Sequence, residues 1–232
     1  MLTLRPARER GHADYGWLDT NYTFSFAGYR DPAYMGFRTL RVMNYDRVAP
    51  GRGFDEHDHR DMEIITVVLS GALQHRDSLG HGEVIRPGDV QVMTAGTGIT
   101  HSEFNPSATD PVHLYQLWIM PDRKGHRPGY AQKHFPAEGR ANRWQCVASP
   151  DGVEGSLTIH QNARVLLADS AKGRSLDYDL LPDRHAWLQV LEGEIAVGGL
   201  AMSTGDGVAI SEESKLSIAT KTDAKLLLID MG

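Results

Sequence analysis

The sequence predicts an all-β protein built from two similar halves, each a small antiparallel barrel. Short runs rich in Val, Ile, Leu and Thr recur along the chain and end at Gly, Pro, Asp or Ser, a pattern typical of strands joined by turns. Several of these runs are apolar throughout, as expected for strands buried on both faces. Long amphipathic helical patterns do not occur, and the one candidate for a short helix lies around residues 163–169.

The predicted strands follow one another along both halves of the chain. In the first half and the segment after it they cover residues 39–45, 63–69, 72–75, 90–93, 112–120 and 157–160. In the second half they cover residues 187–191, 194–197, 208–210, 216–219 and 225–230. Each run combines β-branched or aliphatic residues with a turn residue at its end, and this combination predicts both the strand and its limit.

A weak internal repeat divides the chain. The segment Leu-Ser-Gly-Ala-Leu around Gly71 is matched by Leu-Glu-Gly-Glu-Ile around Gly193, and the Gly-Asp turn at Gly88 is matched by the one at Gly205. A segment dense in Arg, Lys, His, Gly and Pro lies between the halves and indicates a linker packed over the surface. We therefore predict an N-terminal barrel over residues 1–121, a linker over 122–144 and a C-terminal barrel over 145–232.

Composition argues against several classes of partner. The chain has 232 residues, a formal net charge of −6 and a pI near 6.0, so its electrostatics do not favour direct binding to nucleic acid or to an anionic membrane. No run approaches the roughly 20 apolar residues of a membrane-spanning helix, and the first residues lack the apolar core of a signal peptide. The single cysteine, Cys146, cannot form an internal disulfide, which fits a reducing compartment. We expect a cytoplasmic protein.

The residues with the most specific chemistry are histidines spaced by one residue. His57 and His59 fall on one face of an extended strand, because side chains alternate with period two. His101 and Glu103 repeat the same spacing. Two short segments can therefore direct three imidazoles and a carboxylate to one point, a set that suits a first-row divalent metal and can leave coordination positions open. The sequence predicts a metalloprotein, and the open positions indicate an enzyme.

The second half of the repeat lacks these ligands. Its register places Asp179 at the position of His57 and Ile218 at the position of His101. We therefore expect one metal ion per chain, held in the N-terminal half.

Together these segments resemble the two signature motifs of the cupin superfamily. The first motif runs from Gly51 to Glu63 as G-x5-H-x-H-x3-E, and the second runs from Gly98 to Asn105 as G-x2-H-x3-N. The sequences of the two motifs, H-x-H-R-D-M-E-I and A-G-T-G-I-T-H-S-E-F-N-P, resemble those of the pirin branch of that superfamily. The resemblance extends over essentially the whole chain and is strongest over residues 5–121.

This resemblance implies a bicupin, in which two antiparallel, jelly-roll-like β-barrels pack face to face and only the N-terminal one holds metal. It implies that the metal ligands are His57, His59, His101 and Glu103. It also implies one divalent ion per chain, with iron as the first expectation and Cu, Ni, Mn, Co or Zn as alternatives. Bacterial members that resemble this chain include quercetin 2,3-dioxygenases, oxidoreductases that open a flavonol ring with O2 and release carbon monoxide.

Two glutamates compete for the role of carboxylate ligand. Many cupins use the glutamate that closes the first motif, here Glu63, which has the same parity as His57 and His59. The gap from Glu63 to Gly71 holds seven residues, one more than the usual cupin pattern, and so predicts a bulge that re-aims a side chain. Pirins use the second-motif glutamate, so the resemblance assigns Glu103 as the ligand and Glu63 as an outer hydrogen-bonding partner. As the only anionic ligand, Glu103 is also expected to act as the general base.

Other interpretations remain open at this point. The side chains of Phe54, Tyr115, Trp118 and Met93 either line an apolar pocket over the metal or belong to the barrel core. One alternative function is a regulatory binding protein with a protein partner, because eukaryotic pirins act as transcription cofactors. Another is a cupin enzyme, such as an isomerase or a different oxygenase, with another physiological substrate. The leading expectation is a dioxygenase whose partners are a flavonol-like small molecule and O2.

Overall fold

The computed structural model describes residues 1–232 and confirms the predicted all-β class. Nearly all regular structure is strand, and the helical parts are three single turns of 3-10 helix at Ala7–Glu9, Ala137–Gly139 and Val153–Gly155. No helix combines the length and the apolar character that are needed to span a bilayer.

The strands are numbered in chain order. The first twelve are β1 (Leu2–Arg5), β2 (Gly11–Asp14), β3 (Leu18–Tyr22), β4 (Leu40–Val48), β5 (Gly53–His59), β6 (Glu63–Ser70), β7 (Leu73–Asp77), β8 (Gly82–Ile85), β9 (Asp89–Thr94), β10 (Ile99–Phe104), β11 (Val112–Ile119) and β12 (Gly129–His134). The remaining ten are β13 (Gln145–Ser149), β14 (Leu157–Thr158), β15 (Ala163–Ser170), β16 (Ser175–Asp179), β17 (His185–Glu192), β18 (Glu194–Val197), β19 (Leu200–Ser203), β20 (Gly207–Ile210), β21 (Lys215–Thr220) and β22 (Ala224–Met231).

Contacts within the chain divide these strands into two compact units. The N-terminal unit consists of Gly11–Phe135 together with Ile159–Gln161. The C-terminal unit consists of Met1–Arg10, Pro136–Thr158 and Asn162–Gly232.

This division differs from the predicted one in several places, and two of the differences involve whole strands. Strand β1, at the start of the chain, pairs antiparallel with β20 and so lies in the C-terminal unit. Strand β12, inside the predicted linker of residues 122–144, pairs antiparallel with β9 and extends a sheet of the N-terminal unit. Both assignments follow from backbone hydrogen bonds between strands, which a sequence pattern does not reveal for short strands.

The N-terminal unit is a sandwich of two antiparallel sheets. The seven-stranded sheet has the order β12-β9-β6-β11-β4-β3-β2, and the four-stranded sheet has the order β5-β10-β7-β8. One core cluster draws buried side chains from both sheets, with Val48 and Leu114 from the larger sheet and Leu73 and Ile85 from the smaller one. Each such side chain stabilises the sandwich by roughly 1.5–3 kcal/mol, because its apolar surface is removed from water.

The C-terminal unit repeats this arrangement, except that β13 and β14 at one edge of its larger sheet are parallel. Its sheets have the orders β1-β20-β17-β22-β15-β13-β14 and β16-β21-β18-β19, so β16-β21-β18-β19 corresponds to β5-β10-β7-β8. Gly71 and Gly193 lie in equivalent turns of the two units, with φ of 77° and 91°. A Cβ at either position would overlap the backbone at the start of the neighbouring strand. Only glycine meets both requirements without strain. The repeat in the sequence is therefore also a repeat of the fold.

Strand pairing identifies the residues of the second unit that correspond to the ligand positions. Tyr178 lies opposite Leu216 between β16 and β21, as His57 lies opposite His101 between β5 and β10. Ile218, predicted at the position of His101, takes that of Glu103 instead, because β20 has four residues where β9 has six. Leu216 and Ile218 belong to the buried apolar core, and Tyr178 packs against it.

Residues 163–169 form a strand and not the short helix that the sequence allowed. Strand β15 lies between β22 and β13 in the larger sheet of the C-terminal unit. Leu166, Leu167 and Ala168 are all buried, so both faces of the strand are covered. A continuous apolar run has no period that separates a buried strand from a buried helix, and pairing with the neighbouring strands decides the outcome.

Candidate metal centre

Three imidazoles converge on the four-stranded sheet of the N-terminal unit. His57 on β5 lies directly opposite His101 on the adjacent strand β10, and His59 follows on the same face of β5. The ring centroids are 4.5 Å apart for His57 and His101, and 4.8 Å apart for each of the other two pairs. One nitrogen from each ring lies within 4.8 Å of the others. The period-two spacing puts His57 and His59 on one face of β5, and the pairing of β5 with β10 brings His101 to them.

A close approach of the two strands helps to form this cluster. Gly53 at the start of β5 pairs with Phe104 of β10, and a Cβ at Gly53 would overlap the carbonyl oxygen of Glu103. The ladder between β5 and β10 also shifts register between His101 and Glu103. Such an irregularity re-aims side chains, as β-bulges do near many sites.

The histidines fit a metal ion, as the state of their ring nitrogens indicates. His101 is 1% exposed, and its Nε2 has no hydrogen-bond partner, although buried polar atoms are almost always paired. Burial, together with the nearby charge of His57 and His59, lowers the pKa of His101 to about 2. Burial also lowers the pKa of His59 to about 4. Both rings are therefore neutral near pH 7 and carry a free lone pair, which is the form that binds a metal.

The third ring is oriented by the backbone. His57 donates a hydrogen bond from Nδ1 to the carbonyl oxygen of Asp55 over 2.7 Å. This contact assigns the proton to Nδ1 and leaves Nε2 free to act as a ligand.

Glu103 lies beside His101, and its carboxylate is buried. The residue is 2% exposed, and Gln116 Nε2 donates to its Oε1 over 3.2 Å and to its Oε2 over 2.9 Å. Burial raises the pKa of Glu103 to about 7, although the hydrogen bond from Gln116 lowers it in part. A carboxylate oxygen of Glu103 lies within 4.8 Å of ligand nitrogens of His101 and His75, but it is not within that distance of all three clustered histidines.

Glu63, the competing carboxylate, lies in the other sheet and has other partners. It is fully buried at the start of β6, and its Oε2 accepts a hydrogen bond of 2.9 Å from Thr94 Oγ1. Its Oε1 lies 3.3 Å from His160 Nδ1. Burial raises the pKa of Glu63, and the contacts with Thr94 and His160 lower it in part. None of these partners belongs to the imidazole cluster.

A cavity of about 450 Å³ opens beside the imidazoles. His57, His59 and Glu103 line it together with an aromatic wall that contains Trp17, Tyr22, Phe26, Phe54 and Trp118. The ring of Trp118 meets that of His59 edge to face at a centroid distance of 4.8 Å.

Of the apolar candidates from the sequence, Phe54 and Trp118 line this cavity. Tyr115 and Met93 are instead buried, at 1% and 0% exposure, and do not line it.

Polar residues of the larger sheet form the opposite side of this cavity, and the sequence interpretation did not single them out. Asp46 on β4 accepts a hydrogen bond of 2.5 Å from Thr20 Oγ1, and burial raises its pKa to about 7 with a further contribution from Glu103. Asn44 is 5% exposed, and its Oδ1 has no hydrogen-bond partner. The available signal was that Asn44 and Asp46 have the same parity as Leu40, Val42 and Val48, and so are the two polar residues on an otherwise apolar face of β4.

The fold and this cluster define a class of protein. A β-sandwich with imidazoles on adjacent strands of its smaller sheet, beside a largely apolar cavity, is a cupin with a His/Glu group able to hold a metal ion.

Comparison with known families agrees with that class. The chain belongs to the pirin family of cupins: the Pirin family model matches residues 3–119, and the model described as the quercetinase C-terminal cupin domain matches residues 146–231.

Several relatives align with at least 99% of the chain. A protein of Escherichia coli strain K12 named quercetin 2,3-dioxygenase is 46% identical over 100% of this chain and 99% of its own length. A pirin-like protein of Caulobacter vibrioides is 40% identical over 99% of both chains. The crystal structure of the bacterial pirin YhhW from Escherichia coli in complex with nickel(II) has a TM-score of 0.95 and 46% identity, with 100% of this chain and 99% of that chain covered.

Proposed function

We propose that this protein is a metal-dependent dioxygenase that opens the heterocyclic ring of quercetin or a similar flavonol with O2 and releases carbon monoxide. The observation that carries the proposal is the cavity of about 450 Å³ that adjoins His57, His59 and Glu103. Its size is within the range of small-molecule sites, and its aromatic wall suits a planar polyphenol. The name of the relative from Escherichia coli, which is 46% identical, supports the same activity.

We propose that His57, His59, His101 and Glu103 hold one divalent first-row ion. Iron is the first candidate from the family resemblance, and nickel is the second because the related pirin of Escherichia coli has a nickel(II) complex. The unpartnered Nε2 of the buried His101 is the main support for a ligand at this position. A bound divalent ion supplies Lewis acidity, which lowers the pKa of a flavonol 3-hydroxyl.

Glu103 is the proposed catalytic residue, with its carboxylate as the proton acceptor. In the metal-free protein burial raises the pKa of Glu103 to about 7, so the carboxylate is a stronger base than a solvated one, as acceptance of the substrate hydroxyl proton requires. Gln116 donates to both carboxylate oxygens and so fixes the group in the cavity. Trp118, whose indole Nε1 donates to Gln116 Oε1 over 3.2 Å, holds the amide in the orientation that makes this possible.

The remaining cavity residues position the substrate. Trp17, Phe54 and Trp118 exclude water and hold the flat ring system near the imidazoles. Asp46 and the unpartnered Oδ1 of Asn44 are acceptors, so they favour a ligand that carries hydroxyl donors. A different polyhydroxylated substrate of the same centre is the second candidate, because this pair of acceptors selects hydroxyls without selecting a flavonol.

The proposed location is the cytoplasm. The single cysteine, Cys146, is buried and unpaired, which is compatible with a reducing compartment.

The experiment that tests the proposed activity compares quercetin consumption with and without O2. Purified wild-type protein loaded with Fe(II) or Ni(II) should consume quercetin in air, release carbon monoxide, and stop when O2 is removed. The His57→Ala variant, treated identically, is the matched control. Loss of quercetin at equal rates in both proteins, or without carbon monoxide, would contradict the proposal. Turnover of another polyphenol with a much higher kcat/KM would select the second candidate.

A further inference from the structure

A buried chain of hydrogen bonds extends from His101 away from the cavity. His101 Nδ1 lies 3.3 Å from Nδ1 of His75, and His75 Nε2 lies 3.0 Å from Asp77 Oδ2. The side chains of His75 and Asp77 are both fully buried. Both residues lie on β7, where Asp77 pairs with His101 and His75 pairs with Glu103. The hydrogen-bond chain therefore connects the adjacent strands β10 and β7.

Asp77 is an acceptor for every group around it. Its Oδ1 accepts the backbone N–H of Leu79 over 2.9 Å and that of His81 over 3.1 Å. His81 Nδ1 lies 3.0 Å from Oδ2 of the same carboxylate. Burial acts to raise the pKa of Asp77, but the hydrogen bonds from His75 and His81 outweigh it and hold that pKa below its usual value. The group is a charged acceptor with no proton to give.

Asp77, at the end of the hydrogen-bond chain, determines which nitrogen of each histidine carries the proton. Because Asp77 can only accept, His75 carries its proton on Nε2 and leaves a lone pair on Nδ1. His101 must then donate from its own Nδ1 to His75. This tautomer leaves the lone pair of His101 on Nε2, which is the buried nitrogen without a partner. The order of donors and acceptors thus presents a free lone pair at the centre.

Stacking also holds His75 and His81, the two imidazoles beside Asp77, in place. Tyr130 on β12 lies over His75 with a centroid distance of 4.6 Å and an interplanar angle of 20°. It lies over His81 with a distance of 5.0 Å and an angle of 24°. A ring that is stacked in this way cannot tilt away from Asp77 without losing these contacts.

We propose that His75 and Asp77 are positioning residues of the metal centre, which fix His101 in the tautomer and orientation that present Nε2 as a ligand. This inference rests on the metal site proposed above and does not depend on the identity of the substrate. Histidine ligands usually need such a partner on their second nitrogen, and losing it typically weakens metal binding by on the order of 10–100-fold.

The decisive variant is Asp77→Asn, because the amide must take one orientation. Its oxygen is needed by the two backbone N–H groups of Leu79 and His81, so its NH2 group faces His75 Nε2. His75 would then accept at Nε2 and carry its proton on Nδ1, and His101 would carry its proton on Nε2. A nearly isosteric change two residues beyond His75 therefore blocks the ligand atom of His101.

Two measurements test this. Long-range 1H–15N NMR of the metal-free protein should show His101 as the Nδ1–H tautomer in the wild type and as the Nε2–H tautomer in Asp77→Asn. Titration with Ni(II) should give an affinity that is lower by on the order of 10–100-fold in the variant. Asp89→Asn is the matched control, because Asp89 also accepts from a histidine (His134 Nδ1, 2.8 Å) and from a backbone N–H (Arg86, 2.9 Å) outside the chain. In Asp89→Asn the tautomer of His101 and the affinity for Ni(II) should equal those of the wild type.

A second pair of variants separates positioning from loss of structure. His75→Gln can accept from His101 with its amide oxygen and donate to Asp77 with its NH2 group, so it should retain most of the Ni(II) affinity. His75→Leu offers neither group and should lose affinity as Asp77→Asn does. Equal affinities for these two variants would overturn the positioning role.

The outcomes distinguish this inference from the proposed function. Wild-type binding of Ni(II) with an unchanged His101 tautomer and affinity in Asp77→Asn would overturn the positioning role alone. Loss of one nitrogen ligand in the Cu(II) EPR spectrum of His75→Gln would overturn it as well, because His75 would then be a ligand itself. Metal binding that follows these predictions without any quercetin turnover would contradict only the proposed dioxygenase.

Discussion

Asp46 and Glu103 line the same cavity from the two sheets of the N-terminal unit, and the pKa of each is raised to about 7. Burial is the main cause for both carboxyl groups, and the charge of Glu103 adds to the shift of Asp46. Glu103 is on β10 beside His101, whereas Asp46 is on β4 beside Thr20. We therefore propose that Glu103 accepts the substrate proton and that Asp46 binds substrate hydroxyls.

Replacing a clustered histidine should remove metal and turnover together. His101→Ala deletes the buried Nε2 that has no protein partner, so metal affinity should fall by more than the roughly 10–100-fold typical of outer-shell changes. Metal per chain and quercetin turnover are measured on the same preparation. His134→Ala, which changes an exposed histidine paired with Asp89, should match the wild type. Full metal content in His101→Ala would show that the site lies elsewhere.

The two glutamates should respond differently to amide substitution. Glu103→Gln keeps the shape of the side chain but removes its ability to accept a proton, so kcat should fall by about 10²–10⁴-fold while part of the metal affinity remains. Glu63→Gln should leave metal affinity unchanged within about twofold, since Thr94 and His160 are its partners and neither is in the imidazole cluster. Turnover of both variants at saturating metal is the measurement. Inactive Glu63→Gln beside active Glu103→Gln would reverse the assignment.

Asp46→Asn should weaken binding of hydroxylated substrates selectively. A hydrogen bond from a substrate hydroxyl to a buried carboxylate contributes about 1.5–3 kcal/mol, so kcat/KM for quercetin should fall by roughly 10–100-fold. A flavonol that carries only the 3-hydroxyl should be affected much less. Equal losses for the two substrates would contradict a recognition role for Asp46.

The raised pKa of Asp46 also predicts how the free energy of unfolding of the metal-free protein depends on pH, with Asp46→Asn as the reference. The pKa of Asp46 is raised in the fold from 3.8 to about 7, so the folded state binds the proton more tightly than the unfolded chain does. The stability of the wild type relative to Asp46→Asn is therefore highest below pH 3.8 and falls as the pH rises to about 7. The slope is at most about 1.4 kcal/mol per pH unit. Urea unfolding of both proteins across this range measures it, and a difference that rises with pH would contradict the assignment.

The sequence predicted much of the fold, and its omissions have physical causes. Strongly apolar segments such as β6, β11 and β22 were predicted because their composition alone identifies a buried strand. β8 and β12 were missed because β8 has only four residues and β12 is mostly polar, and only pairing with β7 and β9 makes them strands. Residues 163–169 show the opposite case, in which the apolar run was seen but its type was decided by β22 and β13.

The candidate site was predictable to the extent that it depends on period two. That spacing puts His57 and His59 on one face of β5, and the resemblance to the two cupin motifs associated this strand with the one that carries His101. His75 and Asp77 have the same spacing, but their contact with His101 depends on the pairing of β7 with β10, which no local pattern specifies. The contact of Glu63 with His160 could not be predicted from the sequence either, because His160 comes from a distant part of the chain.

We propose that one metal ion in the N-terminal unit supports the reaction, and titration of the metal-free protein with metal tests this proposal. Metal-free protein is titrated with Fe(II) without O2, and quercetin turnover is recorded after each aliquot is exposed to air. We predict that activity is absent without metal, rises in proportion to added metal and saturates at about one ion per chain, because the imidazole cluster is confined to one unit. Full activity in the metal-free protein, or saturation only at two ions per chain, would contradict the account.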